Sequence, residues 1–184
     1  MNKFLISTSL VLALSVAAIS NAAATDLSTS YVEANYAKID NDYSGYNAKA
    51  SIGFGTTGLY GVGEYTNYKI EGVNLKQSTF GLGYQHNIGE NVALFGEGGY
   101  YRIDIAGENV NGYAASIGGR FSIGDYVEPF VKVTRTHVSE LGNQTDTSAG
   151  VLVQPWLNLG FVGQYTFGND DNADQWKVGL RYTF

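Results

Sequence analysis

At the end of the chain, large apolar side chains fall on every second position: Trp176, Val178, Leu180, Tyr182 and Phe184 alternate with Gln175, Lys177, Gly179, Arg181 and Thr183. Successive side chains of a strand point to opposite faces, so this period of two predicts a two-faced strand. The preceding segment repeats it, with Leu157, Leu159, Phe161, Tyr165 and Phe167 on one face and Asn158, Gly160, Gln164 and Thr166 on the other. Extended over the chain, the pattern predicts ten strands, at about 29–39, 45–54, 59–70, 75–88, 92–105, 112–123, 127–138, 145–153, 157–167 and 175–184. Turn formers separate them, among them Gly55-Thr56-Thr57-Gly58, Glu71-Gly72-Val73-Asn74, Gly107-Glu108-Asn109 and Gly142-Asn143, and every loop is expected to span about four to seven residues. In 59–70 and 92–105 glycines fall on both faces, and the orientation is set by placing Glu64 and Glu97 on the polar side. A meander of this kind predicts an all-β, closed antiparallel barrel of about ten strands, with eight as the alternative count.

One stretch does not alternate. Met1-Asn2-Lys3 is a basic start, Phe4 to Ile19 is an apolar run, and Ser20-Asn21-Ala22 and Ala22-Ala23-Ala24 offer small residues at the spacing of a cleavage site. Residues 1–23 read as a secretory signal peptide and 24–184 as a single barrel domain. The run is short for a spanning helix, which argues against an anchor.

Alternation does not say which face is outside, and three features choose the membrane. The polar face mixes small residues with charges, as in Asn47, Lys49, Ser51 and Gly53, or Ala114, Ser116, Gly118 and Arg120, which suits a narrow wet interior. Aromatic residues gather near strand ends, where amphipathic rings meet lipid headgroups. The strands also have about the 9–11 residues that a tilted strand needs to cross a bilayer. Composition then removes other classes. There is no cysteine among the 184 residues, so neither disulfides nor thiolate metal sites are available. A net charge of −6 with scattered Lys and Arg argues against a nucleic-acid partner. No cofactor or metal site is expected.

The opening Ser30-Tyr31-Val32-Glu33, the strand Phe80-Gly81-Leu82-Gly83-Tyr84 and the ending Trp176-Lys177-Val178-Gly179-Leu180-Arg181-Tyr182-Thr183-Phe184 carry a resemblance. The chain resembles the porin-like superfamily of small outer-membrane β-barrels, within it a ten-stranded, short-looped group. The resemblance implies a bacterial outer-membrane location, a monomer surrounded by outer-membrane lipid and lipopolysaccharide, and periplasmic chaperones and the barrel-assembly machinery as partners in biogenesis. It also implies that Trp176, Val178, Leu180, Tyr182 and Phe184 form the sorting signal that this machinery reads.

The candidate site is the set of inward charges: Glu33, Lys49, Glu64, Glu97, Arg120, Glu128, Lys132, Lys177 and Arg181. Neighbouring strands bring acid and base together, so the first reading is a salt-bridged, hydrated filling of a structural, surface-interaction or narrow-pore barrel without catalysis. The alternative is the selectivity lining of a narrow porin or small-solute channel. A second alternative, a lipid A-modifying hydrolase, rests on His137-Val138-Ser139-Glu140, whose residue types match a His-activated hydroxyl with an orienting acid. His86 stands without a ligand set. The acidic 169–174 loop reads as a solvated turn, and Asp40, Asp42, Glu71, Glu108, Glu140 and Asp170 place further acids on loops where divalent cations would bridge to lipopolysaccharide phosphates.

Overall fold

The computed structural model describes residues 27–39, 43–70, 73–139, 142–168 and 173–184. Ten antiparallel strands close into one barrel: β1 (Tyr31–Ile39), β2 (Tyr43–Gly53), β3 (Leu59–Ile70), β4 (Val73–Ile88), β5 (Val92–Ile105), β6 (Glu108–Phe121), β7 (Val127–Val138), β8 (Gly142–Val153), β9 (Leu159–Phe167) and β10 (Gln175–Thr183). Each strand pairs with its neighbours in sequence, and β1 pairs with β10 to close the seam. This is the ten-stranded count, not the eight-stranded alternative. The signal-peptide reading falls on residues outside those described.

The strand ends differ from expectation in the middle of the chain. β4 has 16 residues and β5 and β6 have 14 each, against 9 in β9 and β10. β6 starts at Glu108 and not at 112, because Ala106 and Gly107, with φ of 55° and 95°, form a two-residue turn. Two central residues with positive φ match the twist of the flanking strands and make the tightest hairpin. β8 likewise starts at Gly142 and not at 145. Loops of four to seven residues are therefore not the rule, and β4–β6 form a taller wall than β9–β10.

Tyr31 and Thr183 lie on one rim, here the terminal rim, with connections 54–58, 89–91, 122–126 and 154–158. The opposite, loop rim holds connection 106–107 and the ends of the other hairpins.

Outward positions carry an apolar belt. Phe80, Leu82, Ile117, Val131, Phe161, Val178 and Leu180 are all exposed, Ile117 by 71%. Water would not tolerate a continuous surface of this kind, whereas lipid matches it, and closure leaves no strand edge unpaired in the hydrocarbon. Aromatic rings border the belt. Toward the loop rim Tyr36 packs against Tyr46 and Trp176 at 6.1 and 5.6 Å between centroids. Toward the terminal rim stand Tyr84, Phe121, Tyr126, Trp156 and Tyr182, all exposed. The barrel is a transmembrane one, with its apolar face outward.

Candidate functional site

Inward positions of the same strands build the lumen. All nine charged residues singled out above line one cavity of about 60 Å³ toward the terminal rim. A second cavity of about 160 Å³ lies toward the loop rim and shares Lys49, Glu64, Glu97, Lys132, Gln164 and Lys177 with the first. Those shared residues form a charged ring between two chambers. Each chamber is polar and large enough for several waters.

The terminal chamber is tightly bonded. Arg181 is 8% exposed, donates from Nε to Glu33 Oε2 at 2.9 Å, places Nη2 2.8 Å from the same oxygen, and lies over the Tyr31 ring at 4.1 Å. Glu33 and Arg181 are direct partners in the seam register, so this pair sits where the barrel closes. Glu33 also accepts from Asn35 Nδ2 at 2.7 Å. Asn35 donates to Asn47 Oδ1 at 2.8 Å, and Asn47 donates to Glu64 Oε1 at 2.7 Å and Thr66 Oγ1 at 2.8 Å. Lys177 of β10 completes the chain at 2.7 Å from Glu64 of β3. A continuous polar network thus ties β10, β1, β2 and β3 through the interior, where each bond is stronger than in water and each broken one is costly.

A segment missed by the sequence reading closes the terminal end. Residues 27–30 precede β1 and lie across the lumen as a strap. Arg120 of β6 donates from Nη2 to the carbonyls of Leu27 and Ser28 at 2.7 and 3.0 Å, and Gln85 of β4 donates to Leu27 O at 2.8 Å. Ser51 Oγ donates to Thr29 O at 2.6 Å, and Ser30 O accepts from Phe184 N at 3.0 Å. β1 and β6 stand on opposite sides of the barrel order, so the strap bridges the mouth. Arg120 also contacts Gln85 Oε1 and Glu128 Oε1, the latter at 3.2 Å. Strap and wall therefore share one guanidinium.

Aromatic side chains also face this chamber, on the same face as Glu64, Glu97, Glu128 and Lys132. Tyr60, Phe95 and Phe130 line it, and each stands directly opposite a glycine of the next strand: Gly83, Gly118 and Gly150. A Cβ on those glycines would come within 2.2 Å of the Tyr60 ring and 2.4 Å of the Phe95 and Phe130 rings. The distal ring atoms lie over the bare backbone of the glycines, which lets a bulky group fit in a narrow lumen. Tyr60 Oη reaches Glu97 Oε1 at 3.1 Å. An aromatic at one position with glycine in register on the following strand is the signal that would have found them.

The loop-side chamber is different. Thr66, Gln77, Thr79, Ser116, Thr134, Thr136, Ser148, Thr166 and Gln175 supply hydroxyls and amides, with Tyr101 and Asp146 among them. Ser116 and Thr134 hydroxyls bond at 3.0 Å, as do Ser148 and Thr166 at 2.9 Å. Lys132 is in none of the ion pairs found among the described residues, whereas Lys49 lies 3.9 Å from Glu97. Nearer the loop rim, inward positions turn apolar: Ala37, Tyr68, Ile103 and Val138 are buried.

The hydrolase set is not assembled. His137 points outward, with Nδ1 2.9 Å from Asn143 Oδ1 and its ring 4.8 Å from that of Tyr113. Ser139 Oγ donates to Asn111 O at 3.2 Å, and Glu140 lies outside the described residues. His86 is exposed on the outer face beside Leu94. Of the 169–174 loop, Asp174 is described. It accepts from Tyr165 Oη at 2.5 Å and from Gly168 N at 3.0 Å, which hold its carboxyl below the ordinary value. Of the loop acids, Glu108 begins β6, and Asp40, Asp42, Glu71, Glu140 and Asp170 lie outside the described residues. Trp176, Val178, Leu180 and Tyr182 face outward on β10, and Phe184 is 5% exposed with its ring 6.4 Å from that of Tyr182.

The sequence matches no known family profile and no curated protein. Solved structures do resemble the fold. The KdgM porin aligns over 84% of this chain and 99% of its own, at 9% identity and a TM-score of 0.52. The NanC porin aligns over 84% and 100%, at 8% identity and a TM-score of 0.58. KdgM porin has also been solved with disordered oligogalacturonate, and that structure aligns equally well, with a TM-score of 0.52. The fold is that of a small porin-like outer-membrane barrel. At such identity the likeness extends to the fold and not to a solute.

Proposed function

We propose that the protein is a narrow channel of the bacterial outer membrane for small polar solutes, held at low conductance by its strap and its ion pairs, and without catalytic activity. The observation that carries this reading is the lumen itself: two polar chambers meeting at a ring of interleaved charges. A barrel that only filled its interior for stability would gain as much from apolar packing, because buried ion pairs rarely stabilise more than a hydrophobic replacement. A polar lining is what a hydrated solute requires.

The solute class follows from charge balance. The terminal chamber is lined by the cations Lys49, Arg120, Lys132, Lys177 and Arg181 and the carboxylates Glu33, Glu64, Glu97 and Glu128. Asp146 adds a carboxylate to the loop-side chamber. Such a lumen has no strong preference for a polyanion such as the oligogalacturonate of the KdgM porin structure, and suits neutral or zwitterionic molecules. A structural role for the same pairs is compatible with the tight Glu33–Arg181 contact. The outer-membrane location, recognition of the β10 residues by the barrel-assembly machinery and a monomeric state belong to the same proposal.

Liposome swelling tests the reading. Vesicles holding the folded protein should swell slowly in small sugars and amino acids and not in oligosaccharides. Equal rates with and without protein for every solute would leave only a structural barrel.

A further inference from the structure

The lumen holds half of the basic side chains found on the strands. The other five, Lys38, Lys69, Lys76, Arg102 and Arg135, occupy outward positions, and every one lies near the loop rim. No lysine or arginine points outward near the terminal rim among the described residues. Among the described residues, Asp104, in register with Lys76, and Asp174, bonded to Tyr165, are carboxylates near this rim. Packing alone gives no reason for this one-sided ring. A membrane whose leaflets differ in anionic headgroup does.

β5–β7 carry the most developed part. Tyr100, Tyr113 and His137 stand side by side in register across the three strands. Tyr113 and His137 have their rings 4.8 Å apart, and Tyr100 Oη donates to Asn111 Oδ1 at 2.6 Å. Such rings mark the depth of the lipid headgroups. One residue pair above them, Arg102 donates from Nε and Nη2 to Asn109 Oδ1 at 3.1 and 2.6 Å, which fixes the plane of the guanidinium and leaves its remaining donors outward. Arg135 is exposed beside its register partner Ala115, which in turn pairs with Gly98. A Cβ at Gly98 would meet nothing within 4 Å. Two arginines thus flank an aromatic row above a shallow recess of small residues.

We propose that this outer face of β5–β7 is a lipid-binding site for the phosphorylated head of lipid A, with Arg102 and Arg135 holding phosphate oxygens and the Gly98–Ala115 recess taking an acyl chain. Guanidinium matches phosphate bidentately, and partial desolvation at the headgroup level strengthens the contact. The cations themselves do the work, with no need for metal bridges from acidic loops. The proposal rests on the outer-membrane location but not on conduction.

The test uses the folded full-length mature protein in detergent, with bisphosphorylated lipid A titrated in and adducts counted by native mass spectrometry. The unmodified protein should retain lipid A and should bind its phosphate-free form and phosphatidylglycerol at least about tenfold more weakly. R102Q/R135Q should lose about tenfold in affinity while keeping heat-modifiable migration, and R102K/R135K should recover part of it. Equal binding of the phosphate-free lipid or of phosphatidylglycerol would overturn the proposal without any variant. So would undiminished binding by R102Q/R135Q, or an equal loss in K38Q/K69Q, which would place the contact elsewhere on the ring. None of these outcomes bears on the channel reading, which solute flux decides separately.

Discussion

The two ends of the lumen are built from the same alternation and yet behave as different materials. Toward the terminal rim, Arg120, Arg181, Glu33 and Glu128 interlock beneath the strap and against Tyr31. Toward the loop rim, hydroxyls and amides pair locally, as Ser116 with Thr134 and Ser148 with Thr166, and leave the larger cavity. Charge brought into a narrow space must be paired, and paired long side chains fill that space. Short hydroxyls satisfy one another and leave room for water. Resistance to flow therefore belongs to the terminal half, and tolerance to change belongs to the loop-side half.

Four tests probe that contrast, in order of expected effect. The largest is Gly118→Val. A Cβ there meets the Phe95 ring at 2.4 Å and the Val131 carbonyl oxygen at 2.5 Å, and the backbone partner cannot move aside. Assembly should fail, read as loss of heat-modifiable migration. Gly163→Ala, with nothing within 4 Å, should assemble normally. If both assemble equally, the rings are not seated on glycine. Next, Leu180→Arg on the belt should destabilise by about 2–4 kcal/mol at mid-bilayer depth, measured by unfolding in urea with lipid vesicles. An inverted barrel would show no such loss.

The third compares arginine at two inward serines. Ser51 is 1% exposed under the strap and bonds Thr29 O, whereas Ser116 faces the larger cavity. Ser51→Arg should destabilise by about 1–3 kcal/mol as an overpacked site, and Ser116→Arg by less than Ser51→Arg. The reverse order would erase the distinction between the two halves. Smallest is Lys132→Gln in the ring. Removing a cation that is in none of the ion pairs found among the described residues leaves the barrel folded and shifts reversal potential toward cation preference. An unchanged reversal potential would remove Lys132 from the conduction path.

Much of this was legible in the chain. Period-two alternation located every strand, because one face had to meet lipid and the other water. Its polar half named the charges now seen around the terminal chamber. Three features escaped. The tight two-residue turn of the β5–β6 hairpin was hidden because Ala106-Gly107 lacks the Asn-Gly or Asp-Gly signature, although both residues adopt positive φ. Tyr60, Phe95 and Phe130 share the polar face with Glu64, Glu97 and Glu128, but alternation does not tell how a bulky ring fits in a narrow lumen. Only the cross-strand register with Gly83, Gly118 and Gly150 shows the space that admits them. The strap was hidden because Leu27-Ser28-Thr29-Ser30 has no period of its own. It is held by Arg120 and Gln85, from β6 and β4, and no local pattern announces such a contact. The pairing of Lys177 with Glu64 and of Lys49 with Glu97 likewise skips adjacent strands and depends on the barrel's width.

Single-channel recording in planar bilayers, on the unmodified protein and on Arg120→Ala, reads out whether the strap closes the lumen. Arg120→Ala removes the donor that ties Leu27 and Ser28 to β6, and heat-modifiable migration shows that the variant is folded. The unmodified barrel should pass small, unsteady currents, and Arg120→Ala a severalfold larger, steadier current once the tie is gone. A large steady current through the unmodified protein would show that neither the strap nor the ion pairs close the lumen. Folded Arg120→Ala with currents unchanged would show that the strap is not what limits flow.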